Sequence, residues 1–295
     1  MNNKVKGYLL GAVAAASYGT NPLFALPLYA EGFSPDSVLF FRYLFALPIL
    51  AFMLKWRGHS FRISRADLVP LVILGLIFAL SSLSLFQSYN YMDAGIASTI
   101  LFVYPIMVAV IMTMFFHEKL TIQTMLCLLM AIGGIGLLYQ NEDGATLSFV
   151  GTMIVFLSSL SYAIYIVAIN KTRLHDMVTL KVTFYVVLFG WFLFAGRTLI
   201  SGELQVPQSN EWWLWGNLIA LAVMPTAISL LCTTGAIQYI GSTPTAILGA
   251  LEPVTAVFFG VTVFGEQLTM RSTIGLILII VAVTIVVAGG GITKH

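Results

Sequence analysis

Apolar segments of about 20 residues recur along the whole chain, separated by short polar or Pro/Gly-rich connections. A helix needs about 20 apolar residues to cross the ~30 Å hydrocarbon layer of a bilayer. The alternating pattern of about ten residues per strand, typical of an outer-membrane barrel, is absent. The pattern predicts ten membrane-spanning helices, at about residues 7–30, 37–54, 67–92, 94–116, 121–139, 148–170, 177–200, 212–239, 243–264 and 269–289.

The composition is that of an integral membrane protein, with 59% hydrophobic residues, 9% charged residues and a mean hydropathy of +0.96. A soluble domain has about 25% charged residues. The first apolar segment is long and opens a series of similar ones, so we interpret it as a retained span rather than a signal peptide. The longest connection, about residues 201–211, is too short to fold as a soluble domain.

Lysine and arginine are distributed unequally between the two sets of loops. With a cytoplasmic N-terminus, eleven of them lie in the inner loops and ends, and only Arg197 and Arg271 lie outside. The positive-inside rule then predicts both termini in the cytoplasm, and we expect a multi-pass protein of the bacterial cytoplasmic (inner) membrane. Because topology accounts for these positions, the net charge of +2 indicates no nucleic-acid partner. The eleven residues are Lys4, Lys6, Lys55, Arg57, Arg62, Arg65, Lys119, Lys171, Arg173, Lys181 and Lys294.

The sequence contains an internal repeat of two similar units. Residues 94–121 match residues 242–269 at an offset of 148, including Pro105 with Pro253 and a shared exit pattern Phe-x-Glu-x-Leu-Thr. Tyr18 matches Tyr162 at an offset of 144. Each unit has five spans, and because five is an odd number, the second unit enters the membrane from the side opposite to the first. We predict an all-α membrane protein with ten transmembrane helices as two inverted five-helix repeats, residues 1–143 and 144–295.

Several motifs together resemble the drug/metabolite transporter superfamily, and within it the ten-helix EamA-type transporters. The motifs are Phe41-Arg42-Tyr43, Tyr104-Pro105, Leu-Glu-Pro-Val at 251–254, and the exits at 116–121 and 264–269. The resemblance implies two five-helix halves around a central cavity lined chiefly by spans 1–4 and 6–9. It also implies secondary transport of small polar metabolites, commonly outward and often amino acids, without naming the substrate.

Glu252 is the strongest candidate for the chemistry of transport. It lies about nine residues into the ninth span, so a rise of ~1.5 Å per residue places it near mid-membrane. An acidic group there costs about 2.5–3.5 kcal/mol, which favours a neutral acid or a position facing partners and water. Glu252 is therefore a substrate ligand or a coupling residue that carries a proton. The alternative is a structural acid bonded to backbone released by Pro253.

Arg42 lies in the outer part of the second span, within reach of the interface. Its guanidinium suits a carboxylate or phosphate on a substrate. A structural tie between helices near the outer mouth is the alternative.

Polar and aromatic residues recur at helical spacing on several spans, and in lipid such faces should turn inward. These faces either bind substrate or pack helix against helix. The remaining substrate-binding candidates are Tyr18, Asn21, Ser84, Gln87, Tyr104, Tyr162 and Tyr165.

Pro105 and Pro253 occupy equivalent places in the two halves. An interior proline removes a helix hydrogen bond and commonly produces a kink. We expect these two kinks to act as gating hinges, although static bends that shape the cavity are the plainer account. The glycines of the fifth span allow close helix approach, and they leave the oligomeric state open, with a homodimer among the alternatives.

Other functional classes fit the sequence less well. The four histidines lie in predicted loops or at the terminus, and no Asp falls well inside a span, so we expect neither an intramembrane enzyme nor a cofactor. A phosphate-binding motif for an ATP-driven pump is absent. The partners we expect are a small-molecule substrate and the lipid bilayer. A channel, a receptor-like protein or an exporter of drugs or other metabolites are the alternatives.

The predicted topology can be tested with single cysteines in a background lacking Cys127 and Cys232. Asn210→Cys should react with an impermeant maleimide on intact cells, whereas Ser60→Cys should react only after lysis, because the two loops lie on opposite sides. Labelling of intact cells at position 60 without position 210 would reverse the orientation.

Overall fold

The computed structural model describes residues 2–92, 94–118, 121–138, 148–208, 210–263 and 270–289. All regular structure within these ranges is helical, and no strand occurs there. The prediction of an all-α protein is confirmed. The second exit motif, at 264–269, lies outside the described residues.

Among the described residues, seven α-helices belong to the first half of the chain and seven to the second. The first seven are α1 (Asn3–Tyr18), α2 (Asn21–Ala30), α3 (Pro35–Trp56), α4 (Arg65–Ser88), α5 (Ala94–Leu101), α6 (Tyr104–Phe116) and α7 (Ile122–Leu138). The others are α8 (Phe149–Lys171), α9 (Thr179–Ser201), α10 (Trp212–Ala222), α11 (Ser229–Ile240), α12 (Ser242–Leu248), α13 (Leu251–Val263) and α14 (Met270–Gly289). A 3-10 turn (Arg173–Asp176) precedes α9, and a π-helical turn (Val223–Ile228) joins α10 to α11.

Six helical segments of the described chain are long and apolar enough to cross a membrane. They are Asn3–Ala30, Pro35–Trp56, Arg65–Ser88, Phe149–Lys171, Thr179–Ser201 and Trp212–Ile240. Shorter apolar helices, Tyr104–Phe116, Met125–Gly134 and Thr273–Ala282, lie in the fourth, fifth and tenth predicted spans. The chain is therefore a multi-pass membrane protein, while ten crossings and the inversion of the halves stay predictions.

Proline explains why the first span consists of two helices. In a continuous helix the N–H of residue 22 would bond to the Tyr18 carbonyl, and Pro22 has no N–H to donate. The helix ends at Tyr18 and begins again at Asn21, with Pro22 in the first turn of α2. Tyr18 and Asn21 thus lie on two successive helices, rather than on one face of a single helix as the spacing suggested.

Small residues allow the helices of the centre to pack closely. Gly75 of α4 lies against Val186, Phe189 and Gly190 of α9. Ser81 and Ser158 join α4 to α8 reciprocally, because each hydroxyl donates to the other residue's carbonyl, at 3.0 and 2.7 Å. Such pairs satisfy hydroxyl groups that have no water partner in lipid.

Helices α3, α4 and α9 form a framework that is tied at both ends. At one end, Arg197 donates from Nε and Nη2 to the two Asp36 carboxylate oxygens, at 2.6 and 3.0 Å. At the opposite end, Lys181 Nζ donates to the Arg62 carbonyl at 3.1 Å and the Tyr185 hydroxyl donates to the Phe61 carbonyl. α9 is therefore held to the segment preceding α4 at one end and to α3 at the other.

A matched pair of glycine substitutions tests the packing of α4 on α9. Gly75→Ala would place a Cβ 2.7 Å from Phe189 Cβ and 2.9 Å from the Val186 carbonyl oxygen. We expect a loss of ~1–3 kcal/mol of stability from this overpacking. Gly196→Ala in α9 meets nothing within 4 Å and should gain ~0.5–1 kcal/mol. Thermal unfolding of the purified protein measures both, and equal effects would contradict the close contact.

Candidate functional site

A cluster of four tyrosines occupies the middle of the molecule. The Tyr162 ring of α8 stacks on Tyr18 of α1 and on Tyr165, with centroids 6.0 and 6.1 Å apart. Tyr104 of α6 meets Tyr162 edge-on at 4.8 Å. All four rings are buried. The structure thus brings together predicted candidates from three helices, and pairs Tyr18 with Tyr162, its match in the repeat.

Glu252 lies beside this cluster, at the start of α13. Its side chain is half-buried, and the Tyr104 hydroxyl is close enough to act as a hydrogen-bond donor to the carboxyl group. Tyr104 and Glu252 are the positions that the 148-residue offset equates, so equivalent sites of the two halves meet. Gly249 permits this approach, because a Cβ there would overlap the Tyr104 hydroxyl.

The helix breaks beside these residues follow from the two matched prolines. Pro105 leaves the Leu101 carbonyl without its helical donor, and the Ser159 hydroxyl donates to that carbonyl at 2.9 Å. Pro253 likewise frees the Gly249 carbonyl, which accepts the Glu252 backbone N–H at 2.9 Å. The Glu252 carboxyl group is therefore not needed to satisfy this carbonyl, contrary to the structural alternative for that residue.

A cleft opens between the break in the first span and Glu252. Its volume is ≈ 350 Å³ when the open space at its mouth is included. The part that is accessible to the centre of a water molecule is much smaller and holds roughly one or two waters. Of the predicted candidates, Tyr18, Asn21 and Glu252 line the cleft. The other lining residues are Gly19, Pro22, Leu85, Tyr89, Ser98 and Leu101.

Polar groups of the cleft wall lack partners. Asn21 is 2% exposed, and within the described residues neither its amide nitrogen nor its amide oxygen has a hydrogen bond. The Tyr89 hydroxyl is also buried, and its side chain lies near Ser98. Buried polar groups are normally paired, because leaving one unpaired costs about 1–3 kcal/mol. The wall therefore offers a free donor and a free acceptor to a polar ligand.

Arg42 lies behind the cleft and not on its wall. It is fully buried, Nε donates to Thr226 Oγ1 at 2.5 Å, and Nη2 donates to the Pro225 carbonyl at 3.2 Å. The guanidinium carbon is 5.2 Å from the Phe86 ring centroid and 6.0 Å from that of Tyr18. Arg42 thus joins the first half to the π-helical turn of the second.

The remaining candidates lie elsewhere. Ser84 is buried in α4 and Gln87 is half-buried near its end, and neither is on the cleft wall. Pro105 is buried at the start of α6, whereas the Pro253 side chain lies outside the described residues. Across the described ranges, no three His, Cys, Asp or Glu side chains are grouped so as to hold a metal ion.

Sequence reasoning missed Tyr89, Ser98, Ser159 and the connection of Arg42 to the π-helical turn. The need for a donor such as Ser159 could have been predicted, because a proline in a helix leaves the carbonyl four residues before it without its N–H partner. No local pattern marks Tyr89 or Ser98, which join the site only through the packing of α5 on α4 and on α13.

Helices that break at prolines around a buried polar cleft are typical of membrane transporters. The model of the EamA-like transporter family matches the chain twice, over residues 5–140 and 149–288. The chain therefore belongs to the EamA-like transporter family, which confirms the resemblance found in its motifs.

Relatives extend over most of the chain. An uncharacterized transporter of Archaeoglobus fulgidus is 29% identical over 250 residues, which cover 84% of this chain and 85% of that protein. The uncharacterized transporter YcbK of Bacillus subtilis is 24% identical over 275 residues, covering 90% and 87%. A solved crystal structure superposes with a TM-score of 0.78 at 17% identity, covering 95% of this chain and 96% of that one, which shows a shared fold.

The tyrosine cluster predicts how substitutions at Tyr162 behave. Tyr162→Ala removes a buried ring that contacts three other tyrosines and should cost ~3–5 kcal/mol of stability. Tyr162→Phe keeps the ring contacts and should cost less than ~1.5 kcal/mol. Tyr91→Ala, at an exposed ring, is the control. Thermal unfolding in detergent measures the three variants, and equal losses for Tyr162→Phe and Tyr162→Ala would show that the hydroxyl matters more than stacking.

Proposed function

We propose that this protein is a secondary active transporter that exports small polar metabolites, such as amino acids, by alternating access. The observation on which the proposal depends is the cleft between Asn21 and Glu252, with its unpaired buried polar groups. Groups that are unsatisfied in a dry site gain partners when a polar substrate enters. Tyr18, Asn21 and Glu252 are the proposed contacts in the present conformation.

Two inverted halves, residues 1–143 and 144–295, would exchange conformations and so open the site alternately to the two sides of the membrane. Two observations support this: the family model matches each half once, and the equivalent positions Tyr104 and Glu252 meet at the centre. Inverted repeats can exchange conformations around a shared site. The Tyr104, Tyr162 and Tyr165 rings then close the opposite side of the site, and Pro105 and Pro253 mark the gating hinges.

The direction of opening follows from the proposed topology. With both termini in the cytoplasm of a bacterium, the cleft lies towards the outer side, where α4 ends. Hydrogen bonds join the helices at the inner side, where Lys6 Nζ donates to the Tyr239 hydroxyl at 3.0 Å and Asn170 donates to Ser242 at 3.1 Å. Gln238 also donates to the Met177 carbonyl at 2.8 Å. In this proposal the conformation has a cleft that faces outward, as a state after substrate release would have.

Glu252 is the proposed coupling residue. Burial disfavours the charged carboxylate, whereas water in the open cleft favours it. The acid would thus take up a proton from the outer side while the cleft opens outward, keep it in the dry closed state, and release it to the cytoplasm when the cleft opens inward and substrate binds. In this scheme the protonation of Glu252 depends on whether the cleft opens inward or outward, so one carboxyl group couples the two.

The Glu252→Gln variant tests this coupling. Gln copies the neutral acid in shape and cannot release a proton, so accumulation driven by a pH gradient should fall to the level of empty liposomes. Exchange of labelled against unlabelled substrate should persist. The measurement is uptake of a panel of amino acids into proteoliposomes with and without an imposed pH gradient.

Glu203→Gln, at an exposed loop position, is the matched control and should behave like the parent. Gradient-driven accumulation by Glu252→Gln at the parental level would make Glu252 a structural residue. Uptake of no amino acid by the parent protein would overturn the proposed substrate class.

A further inference from the structure

Arg42 is a buried cation that has no acidic partner among the described residues. It is the only charged residue among the fully buried ones of the described chain, and its side chain is 0% exposed. The two ion pairs seen in those residues, Arg173 with Asp67 and Arg197 with Asp36, do not include it. A buried charge of this kind is strongly destabilising unless it is paired and hydrogen-bonded. The site therefore lacks a negative charge that a ligand could supply.

Only one edge of the Arg42 guanidinium is occupied. Nε and Nη2 form that edge and donate to Thr226 Oγ1 and the Pro225 carbonyl. Arg197 presents the same Nε and Nη2 edge to the two oxygens of Asp36. In Arg42 that edge is already used, and Nη1 is buried with no hydrogen-bond partner of good geometry among the described residues, although the Tyr18 hydroxyl lies near the guanidinium. The second edge, formed by Nη1 and Nη2, can donate two parallel hydrogen bonds to an anion that has two oxygens. Its Nη1 group donates to no acceptor among the described residues.

Thr226 holds the guanidinium in this orientation. Pro225 cannot donate to the Leu221 carbonyl, and the Thr226 hydroxyl donates to that carbonyl instead, at 2.8 Å. Because the hydroxyl proton is committed there, the oxygen lone pairs are left to accept from Arg42 Nε. The π-helical turn thus fixes which edge of Arg42 is occupied and which stays free.

The free edge is close to the cleft. The guanidinium lies between the rings of Phe86 and Tyr18, and Tyr18 is itself part of the cleft wall. Tyr89, which also lines the cleft, packs on Phe86 with centroids 5.6 Å apart. Tyr18 thus contacts both the cleft and the guanidinium, and a ligand in the cleft would reach Arg42 only after this side chain moves.

We propose that the Nη1 and Nη2 edge of Arg42 binds the carboxylate group of the transported molecule, and that Thr226 is the positioning residue for this contact. The proposal rests on the transport function proposed above and adds the chemical class of its substrate. A planar carboxylate matches the edge in shape and supplies the single negative charge that one buried guanidinium needs. A phosphate dianion would bring a second charge for which the described core has no further buried cation.

Acetate binding to the purified protein tests the site without any transport measurement. A ligand that binds the folded state raises its unfolding temperature in a saturable manner. Sodium acetate is titrated against sodium chloride at constant ionic strength and neutral pH, with acetamide as the uncharged analogue. We expect a saturable rise with acetate and none with acetamide.

Four variants separate the role of Arg42 from general effects of charge. Arg42→Gln should abolish the response, and Arg42→Lys, which keeps the charge without the planar fork, should weaken acetate affinity about tenfold. Thr226→Val keeps the shape and the Arg42 charge, and should weaken acetate severalfold by releasing the guanidinium. Arg197→Lys, at the exposed pair with Asp36, should leave the response unchanged.

The carboxylate site would be overturned by the absence of an acetate response in the parent, or by a response that Arg42→Lys and Thr226→Val leave unchanged. These two variants keep the test decisive if Arg42→Gln does not fold. A stronger response to methyl phosphate than to acetate would also overturn it, in favour of phosphate esters. Acetate binding by a protein that transports nothing in proteoliposomes would instead count against the transport function alone.

Discussion

Inside a bilayer, a backbone carbonyl freed by proline must find a donor within the protein, because no water can satisfy it. This constraint organises the centre of the molecule. The Leu101 carbonyl accepts from Ser159, the Leu221 carbonyl from Thr226, and the Gly249 carbonyl from the Glu252 backbone. Each of these three freed carbonyls accepts a hydrogen bond within the protein, so the three breaks and their donors depend on one another.

The same donors place the functional candidates. Ser159 belongs to α8, three residues before Tyr162, so satisfying the break between α5 and α6 also brings Tyr104 against the tyrosine cluster. Thr226 completes the break in the eighth predicted span and at the same time holds Arg42. Asn21, whose amide group has no partner among the described residues, lies on the wall of the cleft. Structural and functional hydrogen bonding therefore share one small set of side chains.

Local sequence patterns predicted the helical class and the positions of the helices well, because apolar length is a direct requirement of the bilayer. The internal repeat also pointed to pairs that meet, such as Tyr18 with Tyr162 and Tyr104 with Glu252. Periodicity did not show that Tyr18 and Asn21 are separated by a helix break, although Pro22 contained that information. Tyr89 and Ser98 reach the cleft through contacts between helices distant in sequence, and no periodicity within one helix reports such contacts.

The orientation of the Arg42 side chain could not be predicted from the position of this residue along its membrane span alone. Its place in the second span allowed the guanidinium to extend towards the interface, yet the side chain turns inward to Thr226 and Pro225. The partner lies 184 residues away, and it accepts from Arg42 only because Pro225 has redirected the Thr226 hydroxyl. The orientation depends on an irregular turn that hydropathy cannot predict.

The framework of α3, α4 and α9 is fastened at both of its ends, by Arg197 with Asp36 and by Lys181 and Tyr185 with the segment before α4. Fastening at both ends fixes the apolar length that these helices present to lipid. Changes in bilayer thickness act on helix ends and cost fractions of a kcal/mol per Å of mismatch. In the proposed transport cycle, the framework would resist such changes in hydrophobic length while the broken helices around the cleft move.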